Sequence, residues 1–276
     1  MNKTPLFLVA VYTLLFQLVN GQVSNCGTEL LQQQIDFENS FTDSVNNIIL
    51  LNRTLGISVH VIEDQDGATN IDTSDLITMV SKLNELFSPI ALNFRIISTE
   101  NIENYHFNVI RKSGNAKDLM AQYSSAGTIN LFLAETVYGS GNTLVRAFTY
   151  YPADNKDVII LTKQNMLDDT FIEQIGHLLN LYHTHETAFG NETVDESNCS
   201  SSGDLCCDTP ADPGLSGAVD PSCSYSGQTM DANDDYYVPT TKNYMSSAPE
   251  SCKCYLSEYQ YIRVINCVLK VKNYLW

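Results

Sequence analysis

The stretch from residue 173 to residue 183, Glu-Gln-Ile-Gly-His-Leu-Leu-Asn-Leu-Tyr-His, constrains this chain more than any other. On a helix, Glu173 and His177 lie four apart and share a face, while Phe171, Ile175, Leu178 and Tyr182 follow a neighbouring apolar stripe. His183 comes six residues after His177, beyond Asn180, a residue type that tolerates the left-handed backbone needed for a sharp helix exit. The spacing points three potential metal donors, Glu173, His177 and His183, toward one place.

It is the spacing of the zinc-binding pattern H-E-x-x-H-x-x-G-x-x-H, with the most demanding positions changed. Glu173 stands at the first histidine, Gln174 at the general base and Asn180 at the turn glycine. A carboxylate is an accepted zinc ligand, so Glu173, His177 and His183 fit a Glu/His/His set. Thr170 and Glu173 also have the spacing of a capping box, in which Glu173 would tie down the helix start. Both readings stand. Gln174 is the decisive change, because an amide cannot take a proton from metal-bound water, and losing a general base costs about 10²–10⁴-fold in rate. Zinc held by this set should be weaker than in a three-histidine site and should be lost as the histidines protonate near their usual pKa of about 6.5. His185 and Glu186 read as solvated loop residues.

Further motifs follow in order: Asp204-Leu205-Cys206-Cys207-Asp208-Thr209-Pro210-Ala211, then Asn243-Tyr244-Met245-Ser246-Ser247, with the strand Ile57-Ser58-Val59-His60-Val61-Ile62 ahead of them. Over roughly residues 55–260 the chain resembles the pappalysin family of metzincin metallopeptidases. The resemblance implies an α+β zincin fold: a twisted mixed sheet backed by helices, a cleft, and a loop-rich lower subdomain ending in a helix. It also implies that Met245 forms an apolar floor under the metal, that Cys223 pairs with Cys252, and that Cys26 matches the cysteine with which some pro-segments plug the zinc. A disulfide from Cys26 to the body is the alternative. Where the family has an oxyanion-stabilising tyrosine, this chain has Ser247. Family members use Ca²⁺, for which Asp204, Asp208 and Asp212, or Asp231, Asn233 and Asp235, could supply oxygens. Solvated acidic loops are the plainer reading, and the second group lacks the glycine and distal glutamate of an EF-hand.

The chain opens with Lys3, an apolar run over 6–19 and small residues before Gln22, which reads as a secretory signal peptide over 1–21. A net charge of −17 argues against nucleic acid or an anionic membrane as partner. Eight cysteines, seven of them from Cys199 onward, suit disulfides in an oxidising compartment. Asn52, Asn191 and Asn198 begin glycosylation sequons.

Residues 22–54 read as an N-terminal extension or pro-segment, and 55–276 as the metallopeptidase-like domain. Strands are expected at 57–62, 92–97, 128–133 and 157–161, an edge strand at 146–151 and a helix at 75–87. Ser257 and Gln260 suggest a capping box for a last helix with Tyr261, Val264, Ile265 and Val268 on one face. First ligand, base and oxyanion donor all depart from the family pattern while the framework stays. The expected function is therefore a secreted, catalytically impaired pseudoprotease that binds an extended peptide or protein in the old cleft by strand addition. The alternative is an active zinc endopeptidase with an atypical Glu/His/His site.

Overall fold

The computed structural model describes residues 24–276, so the segment read as a signal peptide, 1–21, lies outside the described residues. The elements in chain order are β1 (Ser24–Cys26), α1 (Gln32–Ser40), β2 (Arg53–Ile62), α2 (Thr73–Phe87), β3 (Leu92–Ile102), β4 (Val109–Arg111), α3 (Ala116–Tyr123), β5 (Ile129–Ala134), β6 (Thr136–Tyr138), β7 (Leu144–Thr149), β8 (Val158–Thr162), α4 (Thr170–Leu178) and α5 (Glu258–Lys270).

The strands form one mixed sheet in the order β3-β2-β5-β8-β7-β6-β4, with β1 added on β7. Its centre is parallel, because β2 pairs with β3 and β5, and β5 with β8. β7 runs antiparallel to β8 and β6. β5 and β8 are apolar almost throughout and buried at every position, as strands covered on both faces must be. Alternation sends Ile129, Leu131, Leu133, Ile159 and Leu161 into a core shared with α2, α4 and α5. Phe132, Ala134, Val158 and Ile160 face the opposite core, beside α3. The fold is thus the expected α+β arrangement of a twisted mixed sheet and helices.

β1 and α1 come from the segment read as an extension. β1 lies parallel to β7, with Ser24 opposite Val145 and Cys26 opposite Ala147. Ala147 also pairs with Leu161 of β8, so β1 takes the other edge of β7. After α4 the chain runs through loops with isolated bridges as far as a short 3-10 turn and α5. Two disulfides staple this region: Cys223–Cys252, the pairing the resemblance implied, and Cys199–Cys207. α5 starts with the Ser257/Gln260 capping box and buries Tyr261, Val264, Ile265 and Val268. Among the described residues no helix is long and apolar enough to cross a membrane. The disulfides accord with an oxidising compartment.

Candidate metal centre

α4 is buried along its whole length. It ends in a Schellman turn: Leu181 N–H donates to Gly176 O (2.8 Å), Asn180 N–H donates to His177 O (3.1 Å), and Asn180 sits at φ 74°. Asparagine thus keeps the turn of the absent glycine, and Tyr182 lies beyond the helix instead of on its stripe. The chain then doubles back. Thr184 N–H donates to Met245 O (3.1 Å), which fixes the segment carrying His183. Met245 is fully buried, and a Cβ on Gly176 would lie 2.6 Å from its Sδ, so this glycine allows the methionine to press against α4. Asn243 Oδ1 accepts from Met245 N–H (2.8 Å), while its amide donates to Gln260 of the α5 cap (2.8 Å).

Donors from three parts of the chain meet in one cluster. His177 Nε2 lies 3.2 Å from His183 Nε2 and 4.0 Å from Glu173 Oε1, and His183 Nε2 lies 3.3 Å from Glu173 Oε1. The Sγ of Cys26 completes the group, 3.5 Å from His177 Nε2. All four donor atoms fall within 4.8 Å of one another. Four tetrahedral ligands at zinc bond lengths of about 2.0–2.3 Å would stand about 3.3–3.8 Å apart, so these residues fit the ion in donor type and spacing. His177 Nδ1 donates to Leu181 O (2.9 Å), with the Tyr151 hydroxyl 3.1 Å away, which leaves Nε2 as the ligating nitrogen.

Of the two readings of Glu173, the structure supports the one at the cluster. Thr170 N–H is capped instead by Asp168 Oδ1 (2.8 Å), and the Thr170/Glu173 capping box does not form. Gln174 has two partners, both in the N-terminal segment. Its Nε2 donates to Cys26 Sγ (3.3 Å) and its Oε1 accepts from Thr28 Oγ1 (2.7 Å). A glutamate could not make the first bond and would set a carboxylate beside the sulfur. Cys26 therefore lies over the cluster rather than in a disulfide to the body.

Sequence reasoning missed Lys253. Its Nζ lies 3.4 Å from Glu173 Oε2, and both side chains are buried. It carries no local signal, and it is placed here because the Cys223–Cys252 disulfide anchors the preceding residue. Glutamate for histidine adds one negative charge, and Lys253 brings one positive charge, so the pair is as neutral as an imidazole. The Ser247 Oγ accepts from Leu215 N–H (2.8 Å). His185 stacks on His183 at 4.9 Å without entering the cluster, and the Glu186 carboxylate caps Thr187 and Ala188 N–H groups.

The calcium expectation is not supported. Among the described residues, the cluster at Cys26 is the one place where three or more His, Cys, Asp or Glu donors converge. Asp208 caps α5 through Ser257 Oγ and Tyr259 N–H, and Asp204 accepts from Cys206 N–H and Thr209 Oγ1. Asp212 accepts from Thr184 Oγ1 and Gly214 N–H. Asp231 closes its own turn by accepting from the Asn233 and Asp235 N–H groups. These acids serve turns, a helix cap and links between loops distant in the sequence.

Burial opposes charge throughout the centre, and neighbours overcome it. Burial pushes the Cys26 thiol up, but His177 and His183 together outweigh it and the thiol is lowered to about 6. Glu173 is likewise held well below the carboxylate range, because His183 and Lys253 outweigh burial. For His183 burial acts downward, while Cys26 and Glu173 raise it to about 10. His185 is pushed down to about 4 by burial and by the His183 charge. Without metal, His183 keeps its proton below about 10, so a metal binding at neutral pH must displace it. Zinc affinity should therefore rise about tenfold per pH unit from about pH 7 to about pH 9, instead of levelling off above the usual histidine pKa. A chelator-competition titration measures this, and a flat profile would mean that His183 is neutral in the metal-free protein.

No protein-family model matches the chain, and no curated protein matches it in sequence. Similar solved structures include archaemetzincin from Methanopyrus kandleri, at 11% identity over 47% of this chain and 76% of that one, with a TM-score of 0.33. Metalloproteinase-II from Bacteroides fragilis is 12% identical over 85% of this chain and 60% of its own, with a TM-score of 0.38. A chaperone–substrate complex is 13% identical over 81% of this chain and 35% of that one, with a TM-score of 0.35.

Proposed function

We propose that this chain is a secreted pseudoprotease of the pappalysin type, whose former catalytic centre is a closed zinc site. Cys26, Glu173, His177 and His183 would hold the ion with four protein ligands, the pattern of structural sites, whereas catalytic zinc keeps one position for water. The observation that carries this reading is the Gln174 amide. It sits where the general base belongs and is committed to Cys26 Sγ and Thr28 Oγ1. In this role zinc would fasten the N-terminal segment to α4 and the His183 loop. β1 occupies the edge of β7 to which an extended peptide or protein would otherwise add, so a partner would engage the cleft beside the bound segment.

A second reading is a zinc endopeptidase that becomes active once the segment is removed. The position of Cys26 across the cluster favours it, and the absence of a carboxylate at residue 174 opposes it. Purified protein should bind one zinc, and its cobalt-substituted form should show a thiolate-to-metal charge-transfer band that Cys26→Ser removes. Neither the intact chain nor a form cleaved within 41–54 should hydrolyse denatured protein. Chelator-sensitive hydrolysis by the cleaved form alone would establish the second reading, and by the intact chain would refute the pseudoprotease reading.

A further inference from the structure

We infer that α1 is a positioning element of the metal centre: through Asn180, Gln34 and Glu38 set the turn that delivers His183, so the N-terminal segment is a permanent part of the centre and not a detachable cover. This rests on the metal-binding reading above.

Gln34 is 1% exposed, and both ends of its amide are bonded. Its Nε2 donates to Asn180 Oδ1 (2.8 Å) and to the Tyr182 hydroxyl (2.7 Å), and its Oε1 accepts from Ala153 N–H (3.0 Å). One turn on, Glu38 forms a bidentate pair with Arg263 of α5 (2.9 and 3.0 Å). The same carboxylate accepts from Asn180 Nδ2 (3.1 Å) and the Tyr182 hydroxyl (2.8 Å). Arg263 Nε in turn donates to Asn180 O (3.2 Å). Every polar atom of the Asn180 side chain is thus held by α1, and its carbonyl by the arginine that α1 pairs.

Asn180 lies three residues before His183, and Tyr182 directly precedes it. Tyr182 also packs at 5.2 Å on Tyr151, whose hydroxyl touches His177 Nδ1. One network therefore borders both imidazoles. A glycine at 180 would make the same backbone turn but none of the side-chain bonds, which gives asparagine here a role beyond tolerating φ 74°. The segment is fastened downstream as well: the fully buried Asn266 accepts from Ser44 and Val45 N–H (2.8 and 3.1 Å) and donates to Val45 O (2.9 Å). A removable cover would not need buried, charge-paired bonds to α5 and to the turn that follows α4.

Three variants test this without altering a ligand or a residue in contact with Cys26: Gln34→Leu, Glu38→Gln and Asn180→Gly. Partners that orient metal ligands are worth about 10–100-fold in affinity, and each variant should lose about that much for zinc. Asn180→Gly is the sharpest, since glycine favours this backbone and any loss comes from the missing side chain. In metal-free protein, each should raise the rate at which an alkylating reagent modifies Cys26 by about tenfold. With a protease site inserted between Asn46 and Asn47 and cut, the fragment bearing α1 should co-elute with the body. Unchanged zinc affinity and alkylation in Asn180→Gly, or a cut fragment that departs while the body keeps its zinc, would overturn the inference. If the parent protein binds no zinc, the metal-centre reading fails, while alkylation and co-elution still decide the role of α1.

Discussion

Replacing Glu173 by alanine should destabilise the metal-free protein by about 3–5 kcal/mol, the usual cost of leaving one partner of a buried ion pair without the other. The reason is Lys253. Its side chain is 4% exposed, it faces Glu173 Oε2, and the other carboxylate oxygen engages His183. Alanine removes the anion and leaves a buried ammonium beside it. The double variant Glu173→Leu with Lys253→Met removes both charges and should recover most of the loss, since apolar replacement of a buried pair is often neutral or better. Urea denaturation of the three proteins measures the effect. A loss below about 1 kcal/mol for Glu173→Ala, the range of exposed pairs, would mean that Lys253 finds water or another partner.

The second large effect concerns chemistry. Gln174→Glu alone should set a carboxylate against the Cys26 thiolate and loosen the segment, because the amide donor to sulfur is gone. Combined with Glu173→His, Lys253→Met and Cys26→Ala, it should assemble three imidazoles, an open coordination position and a base. Chelator-sensitive peptide hydrolysis should then exceed that of the same protein retaining Gln174 by about 10²–10⁴-fold, the contribution of a general base. Zinc bound without such a gain would show that more than the base was lost. Robust cleavage by the unmodified chain, abolished by a chelator and by His177→Ala, would refute the pseudoprotease reading outright.

Whatever depended on spacing along the chain was legible beforehand. Apolar runs and alternation marked β5 and β8, because side-chain direction repeats every two residues. The spacing of Glu173, His177 and His183 placed three donors together, since a helix and one tight turn follow from local backbone preference. The Ser257/Gln260 box started α5 where expected for the same reason. The Thr170/Glu173 box had equal local credentials and did not form. Asp168 took the Thr170 N–H, and Glu173 was drawn to His183 and Lys253, a charge interaction that outweighs a cap.

Everything that closes the centre came from tertiary structure. Cys26 meets His177 across 151 residues, and Glu38 meets Arg263 across 225. Contacts at such separation leave no periodic trace in sequence, and only the family resemblance pointed to Cys26. The acids offered for calcium show the same, because Asp208 is taken up by the α5 cap and Asp212 by Thr184, partners far from them in the sequence. The chain by itself determined that a helix would carry two potential ligands to a turn with a third. Only packing decided which groups surround them, because burial makes each buried charge depend on the particular partner the fold brings to it.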